Sequence, residues 1–562
     1  MIELLPVSEE LHATKYRQPK ETFRDYASRV ANALKDTPED FEPLRDILLG
    51  QFFLPAGRVQ AAVGAARQVT PYNCFVMGEI EDSMDSIMKT AAEAAETMRR
   101  GGGVGYDFSK LRPRGDIITT MGSPSSGPVS FMAIYDSVCS TISSAGNRRG
   151  AQMAVLRVDH PDIEEFIRCK QNGHNLTQFN ISVGITDDFM GAVLRDEGFQ
   201  LIFNDRVYKT VSARGLWDEI MRSNWDWAEP GVLYLDTINR ANNLSYCERI
   251  AATNPCAEQP LPPYGACLLG SFNLARYVRE DGLFRIIDQK LLASHVTKAV
   301  RAMDKVIDQA IYPLPQQEYE AKSKRRMGLG VTGMANAIEA LGFPYGSGDF
   351  IHEMEAILKV VRDTAYIASV QLAKEKGTFR LYDERYLQSS FIQSLPEHIV
   401  EAIKKYGIRN SHLLSIAPTG TISLTANNVS SGIEPVFALE TTRTIQTTEG
   451  ASTETIPDYG WRNWSVLGKT SDQCSVDDHL NVLLTAQKYV DSSVSKTCNV
   501  GEDVSWEDFK EIYMKAWRGG AKGCTTFRPS GKRYGILNAQ PVSEENEAAC
   551  YFDPDTGQRS CE

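Results

Sequence analysis

From Phe52 to about Arg528 the sequence keeps one texture without a break: short apolar runs, punctuated by Gly and Pro, alternate with amphipathic helical stretches. No Pro/Ser-rich linker interrupts it, and no internal repeat is visible. A chain of 562 residues exceeds an ordinary single domain, yet this pattern predicts one large α/β unit over residues 51–530. Residues 1–50 read instead as a short helical region, with Phe23, Tyr26, Val30 and Leu34 at helical spacing. Residues 531–562 read as a polar, mobile tail carrying Cys550 and Cys561.

Composition removes several classes of function. The net charge of −12 argues against general nucleic-acid binding, which needs a surplus of Lys and Arg. Small anionic ligands held by local cations and helix N-termini remain compatible with it. No apolar run is long enough to span a membrane, and no secretion signal opens the chain, so a cytoplasmic protein is expected. Eleven cysteines in such a chain do not form a disulfide scaffold. No paired C-x-x-C or H-E-x-x-H spacing occurs, and no metal site is expected.

Asp82 and Ser83 predict a helix cap, with Ile87, Ala91, Ala94 and Met98 on one face and Gly101 as the stop. The following glycines, Gly101 to Gly103 and Gly105, imitate a dinucleotide fingerprint. They follow a helix rather than a strand, and Phe108 occupies the last glycine position, so that reading fails. Gly531-Lys532 fails as a phosphate loop because Thr526 stands at the required earlier glycine.

The chemically dense segment is Asn254-Pro255-Cys256-Ala257-Glu258-Gln259-Pro260. Its prolines exclude a regular helix and predict an extended, rigid loop with Asn254 and Glu258 on one side. A thiol, an amide and a general base would then meet at one point. A buried structural cysteine beside a turn explains the same letters equally well. No His lies near Cys256 in sequence, which disfavours a thiol hydrolase.

The Asn-Pro-Cys-x-Glu segment resembles the finger loop of ribonucleotide reductases. Thr70-Pro71-Tyr72-Asn73-Cys74 resembles the family's first strand, and Gly265-Ala266-Cys267 resembles the segment bearing the partner cysteine. Ala417-Pro418-Thr419-Gly420-Thr421-Ile422-Ser423 is similar to its phosphate turn, followed by Ser430-Ser431-Gly432-Ile433-Glu434-Pro435 in the expected order. Read alone, the Pro-Thr-Gly-Thr stretch is an ordinary turn, although its hydroxyls and a following helix N-terminus suit an anion.

The resemblance implies a ten-stranded α/β barrel of two five-stranded halves around a central finger loop. It implies a radical-bearing Cys256, a base at Glu258, a positioning amide at Asn254 and a reducing pair at Cys74 and Cys267. It implies substrate contacts at Asn73, Gly103, Pro418, Thr419, Gly420, Thr421 and Ile422. Asp82, Ser83, Met84 and Arg112, together with Arg149 in Gly146-Asn147-Arg148-Arg149, resemble a deoxynucleoside triphosphate effector site. Cys550 and Cys561 are suited to carrying electrons from thioredoxin or a similar reductant, since exchange needs a mobile thiolate; two uninvolved tail cysteines are the alternative.

No adjacent tyrosine pair occurs, which separates the chain from relatives that import a radical from a metal-containing subunit. Phe53-Leu54-Pro55-Ala56-Gly57-Arg58 and Lys522-Gly523-Cys524-Thr525-Thr526-Phe527 resemble the adenosylcobalamin-dependent class. No Asp-x-His-x-x-Gly cobalamin motif is present, and members of that class generally lack it. The expectation is therefore a cobalamin-dependent reductase of ribonucleotides, preferring diphosphates over triphosphates and working as a homodimer. Its alternatives are a large subunit served by a metal-containing partner and a nonenzymatic nucleotide-binding relative. With only about 50 residues before the barrel, no ATP cone is expected. Ala257 stands where Gly is common in similar enzymes, and Ala fits there if φ is negative.

Overall fold

The computed structural model describes residues 2–66, 69–144, 148–149, 151–171, 175–447, 450–502, 504–528, 550–552 and 559–561. Eleven strands organise the centre. They are β1 (Phe53–Pro55), β2 (Cys74–Val76), β3 (Gly103–Asp107), β4 (Gln152–Arg157), β5 (Phe179–Ile185), β6 (Gly231–Tyr234), β7 (Ala266–Cys267), β8 (Leu269–Asn273), β9 (Gly328–Thr332), β10 (Thr497–Asn499) and β11 (Gly523–Phe527).

Eight of them form one sheet in the order β7-β2-β3-β4-β5-β6-β11-β10. Strands β2 to β6 run parallel, and helices return the chain between them. Such strands are covered on both faces, which is why Met153 to Leu156 form an uninterrupted apolar run. A second sheet, β1-β8-β9, is extended by single parallel bridges from Leu329 to Leu414 and from Ile416 to Val494. The chain crosses between the sheets three times, from β1 into β2, from β7 into β8 and from Val494 into β10.

The helix after Asp82 runs Met84–Arg99, with the Ser86 N–H donating to Ser83 Oγ at 3.2 Å and Ile87, Ala91, Ala94 and Met98 buried. The helix Phe23–Leu34 opens on a capping box between Thr22 and Asp25 and buries Phe23, Tyr26, Val30 and Leu34. Before it, the helix Pro6–Tyr16 crosses to a distant part of the chain. Ser8 Oγ donates to Leu424 O at 2.7 Å, Leu5 N–H to Asn427 Oδ1 at 2.9 Å, and Asn427 Nδ2 to Glu3 O at 2.9 Å. No described helix is long and apolar enough to cross a membrane.

Candidate active site

The Asn254–Gln259 segment is a tight hairpin, not the extended loop that its prolines suggest. Thr253 pairs antiparallel with Pro260, and Asn254 closes the loop with both backbone and side chain. Asn254 N–H donates to Gln259 O at 3.2 Å, Gln259 N–H to Asn254 Oδ1 at 2.9 Å, and Ala257 N–H to Asn254 O at 3.0 Å. Proline forbids a helix but permits a turn, and here the Asn254 amide mimics a backbone group to make one.

Ala257 departs from expectation as well: it takes φ +64°, the left-handed region where Gly is favoured. The hairpin therefore imposes the conformation that explains a glycine preference at this position, and Ala carries it under strain.

The hairpin is pinned from three sides. Glu258 O accepts from Ser415 Oγ at 2.8 Å and from Ser493 N–H at 3.0 Å, while Pro255 O accepts from Asn180 Nδ2 at 3.3 Å. Its stem crosses β3 so closely that a Cβ on Gly105 would lie 1.9 Å from Thr253 O. Asn254, Cys256 and Glu258 are buried, and Asn254 Nδ2 makes no hydrogen bond of ordinary geometry. Cys256 is disulfide-bonded in this structure, so thiol chemistry there starts from its reduced form.

Cys74 is a free, buried thiol beside this hairpin. Burial pushes it up to about 12 and the Glu258 charge adds to the rise, while Asn254, Arg58 and the Gly103 N–H act the other way. At neutral pH it is a protonated hydrogen donor rather than a thiolate.

Cys267, on the neighbouring antiparallel strand, is its direct backbone partner. Antiparallel partners have Cα separations of about 4.5–5.5 Å, within the range a disulfide spans. The Cys267 side chain lies outside the described residues. A Cβ on Gly103 would sit 3.5 Å from Cys74 Sγ and 3.4 Å from Pro255 Cγ, so any side chain there would occupy the reaction space. Asn73 O holds Gly103 N–H at 2.8 Å, and its Oδ1 has no hydrogen-bond partner among the described residues.

The turn Pro418–Ile422 leads into a short helix, Gly420–Thr425. Thr419 takes φ +58°. Its hydroxyl accepts from Gly432 N–H at 2.6 Å and bonds Thr332 Oγ1 at 2.9 Å. That hydroxyl is thus spent on holding the turn, leaving the N–H groups of the helix start to face an anion. The Pro6–Tyr16 contacts described above brace this same helix. The sequence carried no signal of that, because the partners lie more than 400 residues apart.

Glu434 accepts from Thr497 N–H at 2.8 Å and pairs with Lys496, tying the Ser430–Pro435 segment to β10. On its other side the hairpin tip, Cys256 and Ala257, lines a small polar cavity of about 10 Å³ with Ser182, Ser495, Lys496, Thr497 and Thr525. That volume is about what one water occupies.

Asp82 and Arg112 come together in an ion pair at 2.7 Å, with Arg112 N–H also donating to Asp82 Oδ1 at 3.2 Å. Ser83 is occupied as the helix cap, and Met84 is 57% exposed. Arg149 lies opposite Ser143 in a two-stranded piece, its side chain outside the described residues. Cys550 and Cys561 are direct backbone partners across a small antiparallel pair, and the strand Arg559–Cys561 lies beside the helix Gly420–Thr425. Their side chains also lie outside the described residues. Among the described residues, no cluster of three or more His, Cys, Asp or Glu could hold a metal ion.

A parallel α/β sheet threaded by a cysteine hairpin, with a second cysteine strand beside it, defines a thiol-centred oxidoreductase scaffold. The family model described as the ribonucleotide reductase barrel domain matches residues 72–527, and the chain belongs to that family. It is 37% identical to a vitamin B12-dependent ribonucleoside-diphosphate reductase of Mycobacterium tuberculosis, over 97% of this chain and 81% of that protein. A protein of the same name from Thermoplasma acidophilum is 36% identical over 83% of this chain and 62% of its own length. A vitamin B12-dependent ribonucleotide reductase of Rhodopirellula baltica is 28% identical over 84% of this chain and 54% of its own length.

Proposed function

We propose that this chain reduces ribonucleoside diphosphates to 2′-deoxyribonucleoside diphosphates by thiyl-radical chemistry at Cys256, with adenosylcobalamin as cofactor. The observation that carries the reading is the hairpin itself. It places Cys256 between Asn254 and Glu258 and beside Cys74, which lies in register with Cys267. Bound adenosylcobalamin would supply the initiating organic radical.

The remaining chemistry belongs to the chain's own residues. The Cys256 thiyl takes the 3′-hydrogen of the ribose and returns it to C3′ at the end of turnover, Glu258 takes the 3′-hydroxyl proton and gives it back, and the Asn254 amide holds that hydroxyl. The 2′-hydroxyl leaves as water. Cys74 and Cys267 supply two electrons and two protons as their thiols close to a disulfide, so the reaction balances as ribonucleotide plus dithiol giving deoxyribonucleotide, disulfide and water. The protonated state of Cys74 suits that donation. Burial keeps water and stray reductants from the radical.

The eight-stranded and three-stranded sheets are read as parts of a ten-stranded α/β barrel around the hairpin, the architecture that the family's barrel domain supports. The chain is read as three units: residues 1–50, 51–530 and a redox tail, 531–562. Cys550 and Cys561 re-reduce the active-site disulfide with electrons from thioredoxin or a similar reductant. Asn73, Gly103 and the turn Pro418–Ile422 hold the substrate. A deoxynucleoside triphosphate at Asp82, Ser83, Met84, Arg112 and Arg149 selects among substrates, at the interface of a homodimer working in the cytoplasm.

Cys256→Ser tests the core of this reading. It should abolish turnover while effector affinity stays within about twofold; retained turnover would refute the radical role.

A further inference from the structure

The turn assigned to the substrate's phosphates contains no cation. Pro418, Thr419, Gly420, Thr421 and Ile422 offer backbone N–H groups and hydroxyls only, and one of those hydroxyls is already engaged. Placing a multiply charged diphosphate in a buried site without a compensating charge is costly. A cation is therefore to be sought nearby, and the chain has one that the mechanism leaves unused.

Arg58 is the second residue of the short helix Gly57–Ala62, which follows β1. Its guanidinium lies flat against the backbone of Gly101: a Cβ there would be 2.6 Å from Nη1, and Gly101 holds φ +99°. On the other flank stands Tyr16, whose ring is 2.7 Å from where a Cβ on Gly57 would be. Tyr16 in turn belongs to one apolar cluster with Leu54 and Ile422, the last residue of the phosphate turn. Toward the reaction centre, the charge of Arg58 is felt by Cys74, two strand positions beyond Gly101 across β2 and β3. The helix Pro6–Tyr16 thus packs on both Gly57–Ala62 and Gly420–Thr425, and Arg58, on the first of these, reaches Gly101 just before the strand that pairs with Cys74. A ribonucleotide with its phosphates on the turn and its ribose at Cys74 and Cys256 would span this region.

We propose that the Arg58 guanidinium is a substrate-binding group, donating paired hydrogen bonds to the diphosphate of the ribonucleotide. The inference rests on the reading of residues 418–422 as the phosphate turn. A planar guanidinium suits the task because its fork matches two phosphate oxygens at once, whereas an ammonium offers a point charge. Desolvation by the surrounding chain raises the value of that pairing.

The test is equilibrium binding of cytidine diphosphate and of uncharged cytidine to the full chain, for wild type, Arg58→Met and Arg58→Lys. Arg58→Met should weaken the diphosphate about ten- to hundredfold and leave cytidine unchanged. Arg58→Lys should weaken the diphosphate less, though by at least about threefold. Diphosphate affinity equal to wild type in Arg58→Met overturns the proposal. If Arg58→Met does not fold, Arg58→Lys decides, and wild-type diphosphate affinity there overturns it equally. Wild-type protein binding the diphosphate no more tightly than cytidine would instead remove the phosphate-turn reading on which the proposal stands.

Discussion

Ala257 shows what one residue contributes to this site. Its φ of +64° costs an L-residue about 1–2 kcal/mol, held in place by the hydrogen bonds of Asn254 and by Glu258 O on Ser415 and Ser493. Replacing it with Gly removes that strain, and the greater freedom of Gly in the unfolded chain offsets part of the gain. Ala257→Gly should therefore raise unfolding stability by about 1 kcal/mol with turnover preserved, as read from denaturant titration. A drop in stability would mean that the left-handed conformation is not the one the hairpin needs. The residue types of the site were legible in sequence, since Asn254, Cys256 and Glu258 announce themselves by proximity. The sign of φ at Ala257 was not, because it follows from hairpin closure and not from any neighbour's identity. Arg58 escaped for a related reason: its environment is built from Tyr16, Gly101 and Cys74, none adjacent to it in sequence.

At the scale of elements, the crossing of the finger hairpin over β3 is the critical fit. Thr253 O passes where a side chain at Gly105 would be, so Gly105→Ala must push the hairpin stem away from Cys74. A displacement of about 1 Å in a catalytic constellation costs on the order of a hundredfold in rate. Gly105→Ala should lower kcat by that factor while affinity at the proposed effector site of Asp82 and Arg112 stays at the wild-type value. Unchanged kcat would show that the hairpin position is not rate-determining. Sequence texture conveyed the alternation of strands and helices, and the helices at Phe23–Leu34 and Met84–Arg99 follow directly from apolar spacing and caps. It conveyed nothing of the brace between Pro6–Tyr16 and Gly420–Thr425, because tertiary hydrogen bonds such as Ser8 to Leu424 leave no periodic trace.

Over the whole molecule, buried carboxyls couple the fold to pH. Glu339 is pushed up to about 7, chiefly by burial and then by the Asp458 charge, against the pull of the Lys469 and Tyr345 N–H groups. Its folded value lies above the ordinary 4.5, so its contribution is full below about pH 4.5 and is lost as pH rises through about 7. The loss amounts to about 3 kcal/mol between those limits. Glu339→Gln should remove that part of the pH dependence in unfolding titrations at pH 5 and pH 8. An identical loss in wild type and variant would place the titration elsewhere.

The proposed reaction needs only one kind of chain and a cobalamin cofactor. The direct measurement is deoxycytidine diphosphate formed from cytidine diphosphate by the purified chain, with adenosylcobalamin and a dithiol as the only additions. Sustained product formation without any second protein is predicted. Formation of product only when a metal-containing partner subunit is supplied would contradict it.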